Sequence, residues 1–189
     1  MSAPSLSWWR AVAEDFRFCR ELCDGRTSQA LGSYGFYAVA VYRFGHAVNR
    51  RPACLLRWFL LVPYHVLRIL TELSVGVSIA RSAEIGVPVM VHHHGGVFVA
   101  AGSTIGTRCQ IYHQVTIGES GGQRMGRPAI GDEVVIGAGA KVLGPICVGN
   151  GARVGANAVV LSDVPPGALA VGVPAVLHHA QSWRRSASL

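Results

Sequence analysis

Charge is scarce in this chain. Of its 189 residues only 14% are charged, against about a quarter in ordinary globular chains. Lysine is nearly missing: Lys141 stands alone, and arginine supplies the rest of a formal net charge of +7. Basic residues adjoin only at Arg50–Arg51 and Arg184–Arg185. A basic stripe with interleaved aromatics is therefore lacking, and no nucleic-acid partner is expected. Diffuse positive charge favours a small anionic ligand instead. Cysteine is also sparse, with Cys19, Cys23, Cys54, Cys109 and Cys147 making an odd number and no CxxC pair. That excludes a disulfide framework and a zinc ribbon, and free thiols fit a reducing, cytoplasmic location. The first sixteen residues carry Arg10, Glu14 and Asp15 and lack an apolar core with a cleavage site, so no signal peptide is expected.

Long apolar runs are missing too. The most apolar stretch, 53–70, is interrupted by Arg57, Pro63, His65 and Arg68, whereas a membrane span needs about 20 predominantly apolar residues. The stretch reads as a buried packing helix. An interfacial helix giving weak membrane association through 53–70 is the alternative.

What is abundant is aliphatic residues and glycine: half of the chain is hydrophobic and 23 residues are glycine. From about residue 5 to 72 the apolar positions follow a helical period, as in Leu55, Leu56, Phe59, Leu60, Val66, Leu67 and Leu70. Turns are expected near Asp24-Gly25 and Gly32, and breaks or kinks at Pro52 and Pro63.

The period then becomes six. Aliphatic residues stand at Ile79, Ile85, Val91 and Val97 and, after a slip of two, at Val99, Ile105, Ile111 and Ile117. They return at Ile130, Ile136, Val142, Val148, Val154 and Val160, often followed directly by glycine. This is the hexapeptide β-helix repeat. Three short strands form one triangular coil, each aliphatic side chain points inward, and coils must stack to bury them. Small residues such as Ala138, Gly151 and Ala156 suit the corners. The expected fold is mainly β: a left-handed parallel β-helix over 76–176, preceded by a helical segment over 1–75 and followed by a tail over 177–189. The repeat is lost from Glu119 to Ala129, which reads as a loop projecting from a corner.

Residues 85–118 and 130–175 resemble the serine O-acetyltransferase branch of the hexapeptide-repeat acyltransferases. The strings that carry the likeness are Ile85-Gly86, His93 with Gly96 beyond it, Val115-Thr116-Ile117-Gly118 and the Gly-Gly loop ending at Pro128. Ile136-Gly137-Ala138-Gly139-Ala140-Lys141, Val164-Pro165-Pro166 and Gly172-Val173-Pro174-Ala175 continue it. Tyr34-Gly35-Phe36 and Arg43-Phe44-Gly45-His46 resemble that branch's helical part.

The resemblance implies an acyl-CoA-dependent O-acyltransferase, with acetyl-CoA as the donor substrate and no metal. His93 matches the family's general base, which takes the proton of an acceptor hydroxyl; histidine suits this because its unperturbed pKa lies near neutrality. His92 and His113 are candidates for contact with the acceptor. Ala138 and Ala156 match positions along the pantetheine arm, and Arg153 a basic position near the nucleotide. The resemblance further implies a homotrimer with active sites between subunits.

The chain departs from the serine enzymes where they recognise serine. The aspartate that orients the base is replaced by Ser78, so Ser78 or another polar group must hold the imidazole. The aspartate that receives the substrate ammonium is replaced by His92. The Arg-His pair that grips its carboxylate aligns with Gly126 and Arg127, with Arg124 nearby; either arginine can hold a carboxylate or phosphate. A hydroxyl on a sugar or specialised metabolite is therefore an acceptor alternative to L-serine. Two readings from other classes stay open: a zinc enzyme like the γ-class carbonic anhydrases, built on the clustered histidines, and a non-catalytic scaffold.

Overall fold

The computed structural model describes residues 7–53, 55–121 and 125–178. Four helices come first: α1 (Trp8–Leu22), α2 (Thr27–Leu31), α3 (Tyr34–Asn49) and α4 (Leu55–Val75). Fifteen short strands follow among the described residues. The first coil holds β1 (Val77–Ile79), β2 (Glu84–Ile85) and β3 (Val89–Val91), and the second holds β4 (Val97–Val99), β5 (Thr104–Ile105) and β6 (Cys109–Ile111). The third holds β7 (Thr116–Gly118), β8 (Ala129–Ile130) and β9 (Val135–Ile136), and the fourth β10 (Lys141–Leu143), β11 (Cys147–Val148) and β12 (Arg153–Val154). A fifth turn is made by β13 (Val159–Val160) and β14 (Leu169–Val171); β15 (Val176–His178) folds back antiparallel on β14.

Strands one coil apart pair in parallel and build three faces. The first face runs β1-β4-β7-β10-β13, the second β2-β5-β8-β11 and the third β3-β6-β9-β12-β14. This is a parallel β-helix. All fourteen aliphatic positions of the six-residue period are at most 9% exposed. A second interior set lies two residues earlier, at Val115, Val134, Ala140, Ile146, Ala152 and Ala158. It was not read from the sequence, because half of its members are alanine or lie where corners were expected.

The helices close the first coil. On α1, Ala11, Asp15, Phe18 and Cys19 are buried at helical spacing. Gly35 at the start of α3 lets that helix lie directly on β3: a Cβ there would come within 2.0 Å of the Val91 carbonyl oxygen. A buried polar clamp joins the two parts. Arg43 is 5% exposed and Asp15 is 1% exposed. Arg43 Nε donates to Asp15 Oδ2 at 2.8 Å, and its Nη1 and Nη2 reach the carbonyls of Ile85 and Gly86 at 2.6 and 2.7 Å. Asp15 Oδ1 also accepts the Val89 N–H at 2.9 Å.

Pro63 does not break the helix; α4 continues through it to Val75. A proline removes one bond, to the carbonyl four residues back, and here the freed group is on the outward side where Phe59 and Pro63 are exposed. Nor is α4 a buried packing helix. Only Leu61, Tyr64 and Val75 are buried, and the opposite side is open.

Candidate functional site

The edge between the third and first faces gathers the chemistry. Its corners are 92–96, 112–115, 137–140 and 155–158, one per coil, and backbone bonds tie each to the next. Gln114 N–H donates to Gly95 O at 2.8 Å, Gly139 N–H to His113 O at 2.9 Å and Asn157 N–H to Ala138 O at 2.8 Å. The bend needs a left-handed residue in each corner. Gly96, Gln114, Gly139 and Asn157 supply it, with φ of 70°, 59°, 76° and 57°.

The first of these corners is different. Val91 pairs with Ile111 and Val99 with Ile117, so eight residues cover in the first coil what six cover in the next. The slip of two in the repeat is therefore an insertion at this corner. It pushes His93 outward, exposed and itself left-handed at φ 61°. One coil is twenty residues here, so His92 stacks on Tyr112 and His93 meets His113. The His92 and Tyr112 rings lie 4.5 Å apart and nearly parallel at 17°; the His93 and His113 rings meet edge to face at 5.7 Å.

His92 Nε2 donates to Gln110 Oε1 at 3.0 Å. Burial holds the His92 imidazole below its ordinary pKa, and the neighbouring His93 adds to this, while the Gln110 bond opposes it. His92 is thus a neutral ring at neutral pH. The sign of its linkage is fixed by that direction. Its contribution to stability is complete above about 6.5, the ordinary histidine pKa, and fades as pH falls toward the lower folded value. Thermal melts should show Tm dropping with acidification below that point, and His92→Gln should flatten this part of the profile. An unchanged slope in the variant would show that His92 is not the group responsible. His113 Nδ1 is buried with no hydrogen-bond partner among the described residues.

A cleft of about 320 Å³ opens beside this corner, lined by His92, His93 and His94 on one side. The helical segment supplies the other wall, with Cys23, Gln29, Ser33 and Tyr34. The Tyr34 ring meets His94 edge to face at 5.6 Å. Among the described residues, no Asp or Glu lines the cleft. Nor do three His, Cys, Asp or Glu side chains among them converge as a metal-binding group. Burial pushes the Cys19 and Cys109 thiols up to about 11, so neither is a thiolate nucleophile at neutral pH.

The other candidate residues are distributed along and around this edge. Ala138 and Ala156 occupy its third and fourth corners, directly in line with His93 and His113, and Arg153 lies on β12 of the adjoining third face. Ser78 does not join the histidines. Its hydroxyl donates to Glu72 Oε1 of α4 at 2.7 Å, and Glu72 is in turn paired with Arg68 at 3.1 Å. Arg127 is on a different edge, between the first and second faces, where it donates to Ala101 O at 2.8 Å and pairs with Glu119. Arg124 lies outside the described residues. Sequence reading did not place Tyr34, Gln110 or Tyr112 at the site, and took His94 only as a solvent-facing neighbour of His93 or a member of the clustered histidines. The twenty-residue coil was the available signal for Tyr112, since it places that ring over His92.

Residues 127–162 match the bacterial transferase hexapeptide (six repeats) family. The serine acetyltransferase of Helicobacter pylori strain J99 is 42% identical over 147 residues, which cover 75% of this chain and 79% of that protein. Soybean serine acetyltransferase complexed with serine superposes with a TM-score of 0.76 at 37% identity, covering 91% of this chain and 70% of the soybean chain. A serine acetyltransferase in complex with CoA gives the same TM-score at 33% identity, covering 91% of this chain and 70% of the other. With its stacked six-residue coils and these relatives in agreement, the chain belongs to the serine acetyltransferase branch of the hexapeptide-repeat acyltransferases.

Proposed function

We propose that this enzyme, an acetyl-CoA-dependent O-acetyltransferase, moves the acetyl group directly onto a hydroxyl of a small acceptor with His93 as general base. The observation that carries this is the outward His93 corner at the head of an edge whose later corners are small. An imidazole nitrogen of His93 takes the hydroxyl proton as the oxygen attacks the thioester carbonyl. The carbon–sulfur bond then breaks, and the departing CoA thiolate takes the proton back from the imidazolium. The enzyme forms no acyl intermediate of its own, in keeping with the raised thiols of Cys19 and Cys109. The pantetheine arm runs along the edge past Ala138 and Ala156, and Arg153 serves the nucleotide end. In keeping with the unpaired thiols of Cys19, Cys23, Cys109 and Cys147, the enzyme works in the cytoplasm.

The working unit is a homotrimer. The cleft at His93 and the loop that ends at Arg127 stand on different edges of one prism, so a second copy is needed to bring the loop against the histidines.

The lining of the cleft favours a neutral acceptor over free serine. An amino-acid ammonium would find no carboxylate there among the described residues. A neutral imidazole stacked on Tyr112 instead offers flat aromatic surface and hydrogen-bonding edges, which suit a sugar ring. Steady-state CoA release with L-serine and with a panel of sugars tests this. Turnover of a sugar with kcat/KM at least tenfold above that of serine is expected, since an unpaired buried charge costs more than about 1.4 kcal/mol. Efficient serine turnover would discard the neutral-acceptor reading and leave the acetyltransferase intact.

A further inference from the structure

Helix α4 is amphipathic in the reversed sense. Its charged residues, Arg57, Arg68 and Glu72, fall on the same arc as the buried Leu61, Tyr64 and Val75. The opposite arc carries Leu55, Phe59, Val62, Val66, Ile69 and Leu73, each between 48% and 81% exposed, and no charge at all. Even the hydroxyls are satisfied within the helix: Thr71 donates to Leu67 O at 2.7 Å and Ser74 to Leu70 O at 2.6 Å. An apolar strip of 21 residues, about 31 Å long at ~1.5 Å per residue, marks an interaction surface.

At one end of the strip Trp58, on the first turn of α4, is 68% exposed, and Arg57 Nη1 of the same turn donates to the carbonyl of the exposed Arg51 at 3.3 Å, which brings Arg51 to that end. Tryptophan beside arginine at the end of an apolar strip is the pattern of a helix lying in a lipid interface, with the cations on anionic headgroups. We propose that the outward face of α4 docks this enzyme on an anionic bilayer surface, flat and without crossing it. By length and composition alone the helix is long and apolar enough to span. However, it is fastened to α3 along its inner side, where Tyr64 packs so closely on Gly45 that a Cβ would lie 2.0 Å from the ring. Crossing would strip that contact and immerse Arg57, Arg68 and Glu72.

Flotation of the full chain with phosphatidylcholine vesicles, with and without phosphatidylglycerol, tests the proposal. Binding to the anionic vesicles is expected, weakening with added salt. Phe59→Glu with Val66→Glu should abolish it while CoA release in solution stays unchanged. Arg50→Gln and Arg51→Gln, both on exposed positions, should each weaken binding about fivefold on anionic vesicles. Absence of binding to anionic vesicles overturns the proposal. So does binding that ignores both pairs of substitutions. A third overturning result is a smaller sedimenting species for the Phe59→Glu, Val66→Glu protein without vesicle binding by the parent, which would assign the face to a second copy of the chain.

Discussion

His93→Ala should lower kcat for CoA release by about 10²–10⁴-fold, the usual worth of a positioned general base, while leaving CoA affinity unchanged. The position explains the expected split between the two parameters. His93 projects from an inserted corner and is exposed, so truncating it opens no cavity in the interior. Its neighbours Ala138 and Ala156, which we place along the pantetheine arm, are untouched. Steady-state kinetics together with calorimetric titration of CoA separates the outcomes. A variant that keeps its full turnover would remove His93 from the mechanism. A variant that loses CoA binding and turnover together would make His93 a cofactor contact instead.

Asp15→Ala should be the most destabilising single change in the helical segment. The Arg43 guanidinium would be left 5% exposed beside two carbonyls and no anion, and the Val89 N–H would lose its acceptor. Removing one partner of a buried ion pair costs about 3–5 kcal/mol, which corresponds to a fall in Tm of about 6–20 °C for a chain of this size. Replacing the pair together, with Asp15→Leu and Arg43→Met, should cost much less, since no charge is then stranded. Thermal unfolding of the two variants measures the difference. Equal losses would mean that shape, not charge, holds the clamp. Because the chain from Cys23 to Tyr34, which joins α1 to α3, walls the cleft, Asp15→Ala should reduce activity at temperatures well below its Tm.

The β-helix was legible because its signal is local and repeated. Each coil needs an aliphatic side chain every six residues, and Ile105, Ile111 and Ile117 show it without any tertiary information. The slip between Val97 and Val99 was visible as well, but its meaning was not. Only the pairing of Val91 with Ile111 and Val99 with Ile117 shows an extra length of corner that carries His93 outward.

The rest of the site was hidden for a physical reason. Tyr34 and Gln29 reach the cleft from helices far away in sequence, and no periodicity records that meeting. Ser78 was expected to hold the imidazole, yet its hydroxyl is taken by Glu72, a partner contributed by α4. Helix α4 was misread because a helical period says which residues share a face, not which face meets the protein. Its apolar arc was assigned to the interior, and the structure turns it outward.

The acyl-transfer account is tested most directly by a crystal structure with CoA bound. The account predicts the pantetheine arm along the edge built from corners 92–96, 112–115, 137–140 and 155–158, with the sulfur beside the His93 ring at a subunit boundary. CoA bound on another edge of the prism, or with its sulfur remote from His93, would contradict it.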